Sequence, residues 1–354
     1  MAKVKESIIG LTGDGDWRRL AFWSLGAALL IVVTFYGGQA IFSNTNGPVK
    51  LVVYAFSTQE EVLTQSIFPA FEQMWEAETG RDLTIEGVFG PSGTLAGQIN
   101  LGAPADVALL SNEQHVSWLK FGRRVRWEAQ PAVVSYTPMV IVTRSGNPAG
   151  ITDFSDLAQP GLRLLHADPR SSGAGDWAVL SEYGSALLES GDRAAAQTQL
   201  EAIWQNVRLL GPSARATLTL FELGAGDALV TYEQDARLAL DRDVPLEIVI
   251  PPRTIVAHHV AVIIDDNVAA TERPAAQAFV SYLLSDAGQQ AFTRYHLRPA
   301  DLESDAFPPL ARPFSVEELG GWSQAYTELV ETLWQLEIEP RLNLVPAPRL
   351  LDTR

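Results

Sequence analysis

The run "HADPRSSGAGDWAVL", beginning at His166, sets Ser171, Ser172, Gly173, Ala174 and Gly175 between two contrasting segments. Before it, "LRLLHA" reads as a buried strand; after it, "DWAVLSEYGSALL" carries apolar residues at helical spacing. Small hydroxyl residues at a helix start cap free backbone N–H groups. The same N–H groups, at the partially positive helix end, also make a seat for an anion. One such run fits either reading. The pattern recurs at "FST" (Phe56, Ser57, Thr58), at "GPSGT" (Ser92, Gly93, Thr94) and at "PSARAT" (Ser213, Ala214, Arg215), and "VTYEQ" adds Tyr232. Independent caps need not share a cleft, so the recurrence favours one anion site built from several strand-to-helix junctions.

These groups are nearly all donors: Ser and Thr hydroxyls, backbone N–H groups and Arg215. A fully ionised tetrahedral oxyanion offers only acceptors, and a donor shell satisfies it. A protonated oxyanion would also need a carboxylate acceptor. None is central to these loops, although Asp176 and Glu233 are close, so sulfate or molybdate is favoured over phosphate. Catalytic patterns fare worse. His258 and His259 in "VAHHVAV" fall on opposite faces of a strand and cannot ligate one metal. "GPSGT" is not a nucleophile elbow, and Walker and "HExxH" motifs are absent. No sequence feature supplies a base near Ser92 or Ser172, Asp265 and Asp266 read as solvated turn residues, and no cofactor is expected.

The elements that must position these loops alternate along the chain. Strands are expected at "KLVVYAF", "LTIEGVFG", "ADVALLS", "PMVIVTR", "LRLLHA", "VRLLG", "DALVTY", "LEIVIPP" and "VAVIID", with helices between them, the first closed by Gly80. Repeated βα units predict an α/β fold with mostly parallel sheets flanked by helices. About nine strands suit two sheets, hence two lobes. Pro-bearing "SYTP" (135–138) and "IPPR" (250–253) are the expected crossings of a two-crossing hinge. Lobe I is then 48–135 with 257–354, and lobe II 136–256.

Composition sets outer bounds. The chain has 354 residues, 47% of them hydrophobic, and a formal charge of −16, which argues against a nucleic-acid surface. There is no cysteine, hence no disulfide and no thiolate metal site. Arg18 and Arg19 precede "AFWSLGAALLIVVTFYGGQAIF", which is uncharged and long enough to span a bilayer. Residues 1–47 read as a cytoplasmic stub, an apolar segment over 20–42 and a spacer. The segment is either a signal peptide cleaved after Ala40 or a retained anchor. Either way the body is exported, to the periplasm or the outer face of the cytoplasmic membrane. The tail "LNLVPAPRLLDTR" reads as loosely ordered.

As a set, "ETG", "GPSGT…QINLGAPADVALL", "SGNP…DFSDLAQPG", "DPRSSGAGDW", "SARATLTLF", "GDALVTYEQDA", "LLSDAGQQ", "LRPAD" and "FSVEELGGW" resemble periplasmic sulfate-binding proteins of ABC importers, over about residues 50–325. The stretch "GTLAGQINLGAPADV" is also similar to molybdate-binding proteins of that superfamily. The resemblance implies a monomeric, non-enzymatic, two-lobed receptor that holds a desolvated oxyanion by neutral donors and delivers it to importer membrane subunits. It implies Ser92 and Ser172 as hydroxyl ligands, Gly93 beside Ser92, and Gly173, Ala174 and Ala214 as backbone donors. Arg215 would support the site. Ser57 stands where the family has an aspartate whose N–H donates, and Tyr232 where it has a donating tryptophan. Sulfate or thiosulfate is the expected ligand; molybdate, tungstate or phosphate capture, or a membrane-anchored oxyanion sensor, are the alternatives.

Overall fold

The computed structural model describes residues 47–299 and 306–344. The apolar run over 20–42, its spacer to Asn46 and the tail after Leu344 lie outside the described residues. Among the described residues no helix is long and apolar enough to cross a membrane.

Strand β1 (Val49–Phe56) shows how the sequence makes a two-faced sheet. Val49, Leu51, Val53 and Ala55 point into a core with Phe71 and Phe279, while Tyr54 points into the opposite core with Leu95, Leu110 and Val116. Both faces are therefore covered, as a parallel sheet requires. β1 pairs in parallel with β2 (Leu83–Gly90) and β3 (Val107–Leu110). The helices over these strands are α1 (Phe68–Thr79), α2 (Ser92–Asn100) and α3 (Glu113–Phe121). α1 ends at Gly80, whose φ of 66° gives the left-handed cap expected there.

A second set of parallel ladders joins β5 (Leu164–Ala167) to β6 (Val207–Gly211) and β7 (Ala228–Tyr232). It carries α4 (Gly173–Ser190), α5 (Arg193–Gln205), α6 (Ala214–Glu222) and α7 (Glu233–Asp241). β4 (Ala132–Arg144) belongs to both sets: its first half pairs antiparallel with β9 (Arg253–Ile263), its second with β7 and β8 (Leu246–Val249). At 13 residues β4 extends about 43 Å. Its alternation continues throughout, with Met139 and Ile141 facing Trp177 and Trp204, and Val140 and Val142 facing Leu218 and Phe221. All nine expected strands are present, and the three-residue β10 (Arg312–Phe314) was too short to signal itself.

The expected crossings differ in form. "SYTP" is not a loop: Ser135 to Pro138 lie within β4, with Pro138 opposite Val256. Pro138 forfeits only its own N–H, and the neighbouring Met139 carbonyl accepts from Thr254 Oγ1 at 2.5 Å. "IPPR" ends a turn between β8 and β9, so the return passage runs inside β9. The two sets of ladders are thus joined by continuous strands, giving one path of pairing where two separate sheets were expected.

Candidate anion-binding site

β1, β2, β3, β5, β6 and β7 all release the chain toward one small cavity at their carboxyl ends. Its volume of about 10 Å³ is far below the roughly 300–1,000 Å³ of sites for drug-sized ligands, so the solute must be small. Its wall comprises Phe56, Ser57, Thr58, Pro91, Ser92, Ser111, Ser172, Gly173, Ala174, Ser213, Ala214 and Tyr232. No charged side chain is among them. The hydroxyls of Thr58, Ser111 and Tyr232 are buried in this wall, those of Ser111 and Tyr232 close to each other and without another protein partner. Such underused hydroxyls around one small cavity are a specific pointer to a polar ligand, because buried polar groups are otherwise fully paired.

The helices add directed donors. Ser172 is the N-cap residue of α4 yet its hydroxyl makes no capping bond. The first N–H groups of α4, at Gly173 and Ala174, and of α6, at Ala214, belong to helix turns that have no acceptor within the helix. Ser213, by contrast, is spent as a cap, accepting from the Ala216 N–H at 3.1 Å. Burial pushes the Tyr232 phenol well above its ordinary range, so it stays a neutral donor-capable group.

The glycines of "RSSGAG" have packing reasons. A Cβ on Gly173 would overlap the Ser111 hydroxyl and stand 2.8 Å from Asn112 Nδ2. A Cβ on Gly175 would overlap backbone atoms of Ala167 and Pro169. The helix start can approach β3 and the preceding loop only without side chains.

Of the nine residues expected from sequence, Ser57, Ser92, Ser172, Gly173, Ala174, Ala214 and Tyr232 meet in this wall. The structure directs the other two elsewhere. The Gly93 N–H donates to the Ser171 carbonyl at 2.9 Å, joining α2 to the loop before α4. The Arg215 guanidinium turns away to Glu61, with Nη2 2.7 Å from Oε2, and lies 3.6 Å from Asp235. Its charge is therefore neutralised by carboxylates and cannot be counted as a direct anion donor. Thr58 and Ser111 are further wall donors. Ser111 follows the strand "ADVALL" just as the recognised hydroxyls follow theirs, so the same signal was available.

An imidazole stands beside Ser92, which no sequence feature announced. His115 Nδ1 is 2.9 Å from Ser92 Oγ, which also accepts from the Ser111 N–H at 3.0 Å. On its other side, His115 Nε2 lies 3.4 Å from Asp176 Oδ2, which takes a 3.0 Å hydrogen bond from Asn112 Nδ2. Asn112 caps α3 by accepting the His115 N–H, and this fixes the histidine one turn into the helix. Burial lowers His115 to about 3 and raises Asp176 well above the carboxylate range. His259, by contrast, is a core residue packed edge-on against Phe56 and Tyr232, and His258 lies on the other face against Glu113.

Asp235 is fully buried behind Arg215, and burial lifts its carboxyl to about 7 despite the guanidinium. Its unfolded value is about 4. A raised folded value contributes stability below about pH 4 that is lost as pH rises through about 7. We expect Asp235→Asn to flatten that decline, so that urea unfolding at pH 4.5 and 7.5 differs between wild type and variant by about 2–4 kcal/mol. Parallel pH profiles for the two proteins would count against this.

A small, enclosed, donor-lined cavity at the strand ends of an α/β sheet, between two sets of ladders joined by long strands, defines a receptor for a small solute. The comparisons give the family. The profile of bacterial extracellular solute-binding proteins matches residues 51–298, and the chain belongs to that family. A sulfate-binding protein of Synechococcus elongatus is 28% identical over 329 residues, covering 88% of this chain and 94% of that protein. One from Salmonella typhimurium is 32% identical over 320 residues, covering 86% and 94%. Among solved structures, the sulfate-binding protein SubI from Mycobacterium tuberculosis superposes with a TM-score of 0.73 at 25% identity, over 79% of this chain and 99% of that one.

Proposed function

We propose that this chain captures sulfate, or the closely related thiosulfate, outside the cytoplasmic membrane and delivers it to the membrane subunits of an ABC importer. The observation that carries this reading is the wall itself: Ser57, Thr58, Ser92, Ser111, Ser172 and Tyr232 hydroxyls with the Gly173, Ala174 and Ala214 N–H groups, and no carboxylate. A dianion with only acceptors is satisfied there by neutral donors and helix ends. The sulfate-binding relatives agree with that chemistry. The lobes are then 48–135 with 257–299, and 136–256; the segment Phe314–Ile338, expected in lobe I, instead packs into the second lobe's core beside Trp177 and Trp204, and the anion lies between the lobes. No covalent step is involved, and the solute leaves as it arrived.

Calorimetric titration with sulfate, thiosulfate, molybdate and phosphate is the test. Sulfate or thiosulfate should bind, with phosphate giving no heat, and Ser172→Ala should weaken sulfate by about 1–3 kcal/mol, the worth of a hydrogen bond to a charged group. Binding of phosphate alone would overturn the ligand assignment, and unchanged affinity in Ser172→Ala would remove Ser172 from the site.

A further inference from the structure

Ser92 presents one hydroxyl to the cavity, and what that hydroxyl can do depends on its neighbours. Its oxygen accepts the Ser111 N–H at 3.0 Å, and its remaining protein contact is His115 Nδ1 at 2.9 Å. If Nδ1 carries hydrogen, it donates to Ser92, and the Ser92 O–H is free to point at a bound anion. If Nδ1 is bare, Ser92 must donate to it, and the cavity meets a lone pair instead. The tautomer is set from the far side of the ring. Nε2 faces Asp176 Oδ2, and both side chains are fully buried.

We propose that Asp176 keeps one acidic proton in the 3.4 Å gap between its Oδ2 and His115 Nε2, and that, by leaving the ring hydrogen on Nδ1, the pair holds Ser92 as a donor to the captured oxyanion. They are positioning residues: neither lines the cavity. This rests on the oxyanion reading of the same site.

The proton count decides the direction. With the acidic proton on Oδ2 it donates to Nε2, and the ring's own hydrogen sits on Nδ1. With it on Nε2 the ring is an imidazolium and Nδ1 still carries hydrogen. A proton on Asp176 Oδ1 would find no protein acceptor. Only loss of the acidic proton sends the ring hydrogen to Nε2–H···Oδ2, leaving Nδ1 bare and an uncompensated carboxylate behind the anion. The surroundings oppose that charge. Asp176 faces Asn112 on the α3 side, Asp168 before α4, Tyr232 at the end of β7 and Tyr326 of the helix Tyr326–Ile338, with no Lys or Arg against it among the described residues. Around His115 stand Ser92, Trp118 and Asp176. Burial, which disfavours both charged forms, supports the neutral arrangement with a protonated carboxyl.

The experiment is nitrogen-15 NMR of the His115 ring in the full-length chain, with and without sulfate, paired with sulfate titrations between pH 6 and 10 on wild type and Asp176→Asn. We expect an Nδ1–H ring at neutral pH in both conditions. Sulfate stays a dianion over this range, so wild-type affinity should fall by about tenfold or more once the pair gives up its proton. Asp176→Asn should bind at neutral pH and show no such fall, because an amide can donate to Nε2 without titrating. An Nε2–H ring with a bare Nδ1, or identical pH profiles for wild type and Asp176→Asn, overturns the proposal. If no oxyanion binds at all, the functional reading fails while the NMR result still decides the tautomer.

Discussion

Gly173→Ala is expected to lose tight sulfate binding, by about a hundredfold or more, while the fold survives. The added methyl has nowhere to go. It would overlap the Ser111 hydroxyl and press on Asn112 Nδ2, so either α4 withdraws from β3 or Ser111 turns out of the cavity wall. Both responses spoil the site: the first displaces the Ser172, Gly173 and Ala174 donors, the second removes a hydroxyl. Overpacking of this kind costs about 1–3 kcal/mol, and here it falls on the geometry that has to match the anion. Titration with sulfate measures the loss, and urea unfolding establishes that the chain still folds. Adding Ser111→Gly to Gly173→Ala should recover part of the affinity by vacating the overlapped volume. Wild-type affinity in Gly173→Ala would mean the close approach of α4 to β3 plays no part in binding.

The largest expected effect on stability lies away from the cavity, at Trp204. Its ring is fully buried between His166 and Trp334, and its Nε1 donates to Glu182 Oε2 at 2.8 Å. Glu182 is itself fully buried and otherwise held by His166 Nε2 at 2.6 Å. Trp204→Ala removes the ring, leaves a cavity and strips a buried carboxylate of one of its two partners. Large aromatic truncations cost about 3–5 kcal/mol, and the weakened carboxylate adds about 1–3 kcal/mol. Trp127→Ala, at a residue 65% exposed, should stay within about 0.5 kcal/mol. Denaturant midpoints for the two variants make the comparison, and equal shifts would contradict it.

Local chemistry was legible in the sequence. The strands announced themselves as short apolar runs, and the hydroxyl-rich junctions after them marked seven residues that meet in the cavity wall. Such signals are carried by a few adjacent residues. Partnerships across the fold were not legible. Arg215 looked like a donor because its partner Glu61 is 154 residues away. His115 looked unremarkable because nothing local shows that Ser92 and Asp176 close on its two nitrogens from different elements. Gly93 sits in the right loop, but which acceptor takes its N–H depends on where Ser171 arrives. Likewise Pro138 reads as a break, and only pairing with β9 keeps it inside a strand.

The contacts that took Gly93 and Arg215 out of the wall differ in how they respond to salt. The Gly93 N–H holds Ser171, and Arg215 holds Glu61, each next in sequence to a residue of the cavity wall or close to it. They act beside other clasps of the same segments, the Trp177 indole N–H donating to the Ser111 carbonyl and the Gln234 amide to the Thr58 carbonyl. The Arg215–Glu61 pair is about a quarter exposed on each side and is open to screening by salt, whereas the Gly93–Ser171 bond is uncharged. Ionic strength therefore acts on one clasp of the wall, even though no charged side chain is part of the wall itself.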